Sequence, residues 1–369
     1  MGDDVAIEID EVVAPTAAPM ADPIATAASL GSAALAGVRT LVPGVVAASA
    51  IAAVATAIGG VAPVVGAPVV AIVCGIAISA IRRPSSRLRP GIAFTSKKVL
   101  QGSIVALGFG LSLGQVLTTG GRSLPVLLGT LVAALGVAFV AGRALRLRPD
   151  LNTLIGVGTA ICGASAIAAT DAVIDADEAD VSYAIATIFT FNVVAVLLYP
   201  SLGHAFGFSQ HTFGLWAGTA INDLSSVVAA ATIYGHTAAS VGVVVKLTRT
   251  LAIIPISLGL AALRARRRAP SPDGAVTRRV ELRRILPLFI VAFLAAVVWN
   301  TVGLVPGGWH HGLSDLATWM ITAALAAIGL STDFSHIRRA GLRPIALGAI
   351  LWATVGLTSL GLQAVTGAR

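Results

Sequence analysis

The sequence predicts an all-α polytopic membrane protein. About 11 transmembrane helices are expected, as one extra helix plus two inverted five-helix repeats with crossed discontinuous helices. Three observations predict this. Of the 369 residues, 56% are hydrophobic and only 11% charged, and the mean hydropathy is +0.89; soluble domains carry about 25% charged residues. Apolar runs of about 20 residues, each long enough to cross a bilayer, recur along the chain. The basic residues collect in the short loops between those runs, where they set topology. The formal net charge of +8 is therefore a topology signal, and no nucleic-acid partner is expected.

Residues 1–35 come first, rich in Ala, Pro and acids (Asp3, Asp4, Glu8, Asp10, Glu11, Asp22). They read as a mobile cytoplasmic tail, with no basic segment ahead of an apolar one that would mark a cleaved signal peptide. Residues 36–369 form the transmembrane domain. Spans fall near 41–59, 62–81, 98–117, 124–142, 151–174, 180–202, 211–233, 238–262, 285–303, 315–332 and 344–366. Of the 25 Lys and Arg residues, only Arg122, Lys246, Arg249 and Arg369 lie outside the loops on one side. That side is the cytoplasm of a plasma (inner) membrane by the positive-inside rule, which leaves the C-terminus external. The acidic stretch Asp171 to Asp180 is then expected outside. With the first span set aside, the rest divides into repeat one, about 62–202, and repeat two, about 209–366; an odd number of spans per repeat inverts the second.

The span 151–174 carries the stretch Gly158-Thr-Ala-Ile-Cys-Gly-Ala-Ser-Ala166. Gly156, Gly158 and Gly163 are poor helix formers, and Thr159 and Ser165 can bond back to the main chain. Such a cluster suits a helix that unwinds at mid-membrane around a solute; small residues also suit a helix–helix packing seam. The corresponding span of repeat two reads Ala323-Ala-Leu-Ala-Ala-Ile-Gly-Leu-Ser-Thr332, again a Gly followed by hydroxyls. Weak helix positions in matching spans of inverted halves point to a secondary-transporter site. A further echo, Gly218-Thr-Ala-Ile-Asn-Asp-Leu-Ser225, runs parallel to the first word under this topology and reads as chance similarity. It still marks another polar break.

Three ionisable residues lie inside spans. Lys246 and Arg249, three apart, share one helix face, and Asp223 lies in the preceding span. Charges in a membrane face cavities or pair. They read either as an electropositive wall for an anion with Asp223 as a proton or cation partner, or as a structural set. One acid cannot neutralise two bases, which favours the anion. Asp171 reads equally as a solvated helix end or an ion ligand, and Asn192 as interhelical glue. The cysteines, Cys74 and Cys162, and the six histidines have no metal-ligand spacing, so neither a metal nor another cofactor is expected.

Cys162-Gly-Ala-Ser-Ala-Ile-Ala-Ala169, Phe213-Gly-Leu-Trp-Ala-Gly218, Asp223 followed by Val227-Val-Ala-Ala230, Val245-Lys-Leu-Thr-Arg249 and Ala326-Ala-Ile-Gly-Leu-Ser-Thr332 together resemble the YeiH-type family of sulfate exporters. The resemblance covers roughly residues 36–366. It implies a fold related to sodium/proton antiporters and bile-acid symporters, with two crossed, interrupted helices. The sequence departs from that pattern at Asn222, where members commonly carry His, at Ser226, where Gln is often seen, and at Asp171, where a small or neutral residue is expected. Loss of the His removes the proton shuttle it would supply.

The expected activity is secondary transport of a small anion such as sulfate or a sulfonate, by alternating access. The expected substrate ligands are Gly163, Ala164, Ser165, Ala166, Gly329, Ser331 and Thr332, as two helix N-termini with their hydroxyls, joined by Lys246 and Arg249. Asp223, Asn222 and Thr159 are the expected site for coupling Na+ or H+. Besides solute, ion and bilayer, the sequence allows a homodimer. A cation exchanger using Asp223 and Asp171 is the alternative; outside transport stand a channel and a structural membrane protein. No intramembrane serine–base or facing-acid pair is placed for enzyme chemistry.

Overall fold

The computed structural model describes residues 23–61, 67–252, 288–332 and 341–367, with Ile256 and Gly259. Among these residues the chain is helical and has no strand, as a polytopic α-helical membrane protein requires. The helices are α1 (Pro23–Val61), α2 (Ala67–Ile81), α3 (Arg89–Phe94), α4 (Leu100–Gly108), α5 (Leu113–Ala144), α6 (Pro149–Ala160), α7 (Ala164–Ile174), α8 (Glu178–Ala205), α9 (Gln210–Ala220), α10 (Leu224–Tyr234), α11 (His236–Thr250), α12 (Leu288–Thr301), α13 (Trp309–Ser331) and α14 (Leu342–Thr366). A π-helical turn, Thr95–Val99, joins α3 to α4 in one rod. Helix α1 starts at Pro23, inside the stretch expected to be a mobile tail; residues 1–22 lie outside the described residues, as does the whole Arg-rich stretch 264–284.

Two segments expected to cross the bilayer instead turn back. Helix α6 has 12 residues and α7 has 11, so each spans about 16–18 Å, roughly half of the hydrocarbon core. Their outer ends meet: Arg148, just before α6, bonds both Asp177 and Asp180 at the start of α8, the latter at 3.3 Å. A Cβ added at Gly158 would sit 2.9 Å from Ile167 Cγ1, a contact impossible along one straight helix. The pair is a re-entrant hairpin. Helices α9 and α10, with 11 residues each, form a second. Phe213 stacks on Tyr234 at 3.8 Å between ring centroids, and Gln210 Oε1 accepts the Thr237 N–H at 2.9 Å.

The long helix α8 separates the hairpins, so they enter from opposite faces. The first opens on the face that carries Arg82, Arg83, Arg87, Arg143, Arg146 and Arg148, and the second on the face of residues 206–209. Contacts between loops agree. Ser79 Oγ donates to Thr332 O at 2.9 Å on the basic face. Asn300 Nδ2 donates to Leu111 O at 3.1 Å, and His236 Nε2 meets Ser314 Oγ at 3.2 Å, on the other. Helices α1, α2, the α3–α4 rod, α5, α8, α11, α12, α13 and α14 run between the faces. The expected 11 spans are thus revised: 151–174 and 211–233 do not cross, and Asp171 to Asp180 lies with the arginines, not opposite them. Two errors of parity cancelled, so the described basic stretches 82–89 and 143–148 keep their side, whereas Lys97 and Lys98, expected in the first of them, lie in the π-helical turn of the α3–α4 rod.

The helices sort into two bundles. Helices α1–α4, α12 and α13 pack on one another, and α5–α11 with α14 form the other group; α10 meets α2 and α13, and α12 meets α5, across the seam. Within the second group, Tyr199 stacks on Trp216 at 4.1 Å, and Trp216 Nε1 donates to Gly356 O at 3.1 Å. This locks α9 to α8 and α14. The hydrogen bond satisfies the one polar group that burying a Trp brings along.

Candidate functional site

Where the hairpins end, they meet. The α6–α7 tip is Ile161, Cys162 and Gly163; the α9–α10 tip is Ile221, Asn222 and Asp223. Gly163 has φ 67°, open to residues without a side chain, and its Cβ position lies 3.4 Å from Asp223 Cβ. The two tips fall on the two echoing words, Gly158 to Ser165 and Gly218 to Ser225. The expectation that this echo was chance is corrected: each word ends one half-helix and begins the next. A hairpin followed by a crossing helix thus occurs twice running, at 149–205 and 210–250, in opposite orientation.

Each tip exposes one helix C-terminus and one N-terminus in a region without water to satisfy them. The C-terminal carbonyls are held by α11. Lys246 Nζ donates to Ile161 O at 2.9 Å and to Ile221 O at 2.8 Å, one carbonyl from each hairpin. Arg249 donates to Ala160 O at 2.8 Å, to Thr159 O at 3.1 Å and to Thr219 O. Both side chains are buried, at 0% and 2% exposure. Cations at C-termini also complement the helix dipoles. The expected anion wall is revised accordingly: Lys246 and Arg249 spend their donors on main-chain oxygens and staple the two tips together.

The N-termini differ from each other. At α10, Asp223 Oδ2 accepts the Ser226 N–H at 3.0 Å, a side-chain N-cap. At α7, Gly163 gives no side-chain cap. Ala166 N–H turns back to Gly163 O at 3.1 Å, whereas the Ala164 and Ser165 amides have no acceptor among the described residues. Ala164 and Ser165 are exposed at the level of the tips. The α7 terminus is thus an open set of donors with a positive dipole end.

Three side-chain oxygens at the tips are buried with no partner among the described residues: Asp223 Oδ1, Asn222 Oδ1 and Thr159 Oγ1. Asn222 N–H is held by Asn192 Oδ1 from α8 at 3.2 Å, the interhelical role expected of Asn192. The expected coupling residues are therefore gathered at one junction.

The second expected half-site is not there. Helix α13 runs unbroken through Gly329 to Ser331, with Thr332 as its C-cap. Gly329 abuts α2, where its Cβ position would lie 2.9 Å from Gly75 Cα, and Ser331 Oγ bonds Ala327 O at 2.9 Å. This Gly serves close helix approach, the packing role small residues also fill, and the crossed helices of the sequence expectation give way to opposed hairpins. Asp171 is likewise absent from the junction; it caps the base of the first hairpin, taking the Ala176 N–H at 3.1 Å. At that base, outside the bilayer core, the hydrogen bond Arg148 donates to Asp177 and the charge of Asp180 hold the pKa of the Arg148 guanidinium above its ordinary value. Ser225, which the sequence marks only as part of a polar break, stands in the first turn of α10 where Ser165 stands in the first turn of α7. The repeated word was the signal for it.

These features define a multi-pass α-helical membrane protein with two opposed re-entrant hairpins. The family model described as Conserved hypothetical protein 698 matches residues 43–348. Similar proteins include a UPF0324 membrane protein of Streptococcus pyogenes, 42% identical over 304 residues (80% of this chain and 89% of the relative). One from Streptococcus mutans is 41% identical over the same coverage. One from Fusobacterium nucleatum is 37% identical over 316 residues (80% and 90%). The chain belongs to this family, the YeiH-type family that the motifs resemble.

Proposed function

We propose that the protein is a secondary transporter of a small anion, of the sulfate or sulfonate kind, working by alternating access at the hairpin junction. The observation that carries this is the uncapped N-terminus of α7, open at mid-depth where two hairpins from opposite faces touch. Broken helices meeting near the midplane are the usual setting of a transporter site. Free amides with a positive dipole end suit a tetrahedral oxyanion, and the Ser165 hydroxyl adds a donor. The bundle of α5–α11 and α14 would move against α1–α4, α12 and α13, opening the junction to each face in turn. The basic face is cytoplasmic in this reading, with the membrane a plasma membrane. A cation exchanger on Asp223 and Asp171 is disfavoured, because Asp223 sits at the junction of the tips and Asp171 at the far base of the first hairpin.

The test is uptake of radiolabelled sulfate and of a small sulfonate into proteoliposomes. Ser165→Trp fills the space before the α7 amides. It is expected to abolish saturable flux while the detergent-solubilised protein keeps its melting temperature. Undiminished flux would refute the site, and unsaturable conductance would replace the transporter by a channel.

A further inference from the structure

We propose that Asp223 is the proton site that gates anion binding: the anion enters the hairpin junction only together with a proton on Asp223 Oδ1. This rests on the anion reading above. The Asp223 carboxylate stands beside the same α7 terminus that would hold the anion, its Cβ 3.4 Å from the Gly163 Cβ position. Ionised, it repels an arriving anion across a poorly solvated gap.

The two carboxylate oxygens are not equivalent. Oδ2 is committed as the N-cap of α10, at 3.0 Å from Ser226 N. Oδ1 is buried with no partner among the described residues. A proton taken from solution onto Oδ1 leaves the cap intact, removes the negative charge and turns an orphan acceptor into an O–H donor. Ionised acceptors that already lack donors gain nothing from a second acceptor-rich solute; a neutral carboxyl does. The neighbouring orphan amide oxygen of Asn222, a residue 1% exposed, deepens the same shortage of donors.

The charged and titratable groups around Asp223 are few. Lys246 and Arg249 on α11 bond to main-chain oxygens of the tips, and Cys162 lies in the opposite tip. The elements α2 and α13, which pack on α10, bring no acid or base to the described part of this junction. The coupling is thus one proton to one anion, with no bond made or broken other than O–H.

Sulfate and a small sulfonate such as isethionate keep their charge near neutral pH, so any pH dependence of their binding belongs to the protein. Binding to the full chain in detergent is measured calorimetrically across that range. The wild-type apparent Kd is expected to fall about tenfold per pH unit of acidification while the carboxyl is mostly ionised, the slope of one linked proton. Proton uptake on sulfate addition in weak buffer should approach one per site. Asp223→Asn keeps an N-cap and carries no charge; it should bind with a pH-independent Kd and take up no proton. Equal pH dependence in D223N and wild type overturns the proposal while leaving the anion site standing. A dependence on sodium at fixed pH, with no proton uptake, also overturns it. Failure of the wild type to bind either anion at any pH removes both this proposal and the reading beneath it.

Discussion

Lys246 and Arg249 do at the scale of single residues what no helix can do for itself. Five main-chain oxygens of the two tips, from Thr159, Ala160, Ile161, Thr219 and Ile221, end half-helices far from water and find their donors on these two side chains. Charge-assisted bonds to buried carbonyls are the strong kind, and an unpaired buried carbonyl costs about 1–3 kcal/mol. Lys246→Met is therefore expected to lower thermal stability in detergent sharply, whether or not an anion is present. A melt unchanged from wild type would show that the carbonyls are satisfied some other way. The sequence made these residues conspicuous, because membrane charges are rare, and it placed them correctly on one face. It could not show their partners, because main-chain carbonyls at a break carry no sequence signal of their own. Ser331 and Thr332 misled for a related reason: hydroxyls after a Gly read the same whether the helix breaks at the Gly or, as in α13, continues through it to a C-cap at Thr332.

A hairpin and a broken crossing helix have the same composition, and the distinction lies in where their outer ends go. Arg148 and Asp177 stand on one face because α6 and α7 fold back. Cysteines placed at 148 and 177, with Cys74 and Cys162 replaced, should cross-link with a short bifunctional thiol reagent and label from the same side with an impermeant one. Labelling from opposite sides would restore a crossing span. The second hairpin predicts the converse pattern, with 206 and 235 labelled together from the other side. Composition and loop charge made every long apolar helix legible, along with the break at 158–166. The direction taken after the break was not legible, since each hairpin misread as a crossing was offset by the other. The repeated Gly-Thr-Ala-Ile word held the missing information: two half-helices that must end and restart at the same depth meet the same local demand.

The whole molecule divides along an apolar seam. Val228, Val243, Val244 and Leu247 of the hairpin bundle lie against Ile72, Ile104, Phe293 and Ile321 of the other, all nearly without exposure. These apolar side chains slide past one another at low cost, and the hydrogen bonds His236–Ser314 and Leu113–Thr301 cross the seam only at its non-basic rim, which suits relative motion of two rigid bundles. A disulfide between cysteines at Ile72 and Val228 should therefore stop sulfate flux reversibly while leaving sulfate binding within about threefold of wild type, a change of about 0.6 kcal/mol. Flux that survives complete cross-linking would mean that the bundles do not move past each other at this seam.

The opposed hairpins also set how the membrane's electric field is felt. Each tip ends near half-depth, so most of the insulating thickness is carried by protein on either side of one narrow junction. An elementary charge reaching that junction from either face traverses about half of the voltage drop, about 1.2 kcal/mol at 100 mV. A doubly charged anion arriving with a single proton carries one net charge through that drop. Its loading from the two faces is then biased in opposite directions by the same resting potential.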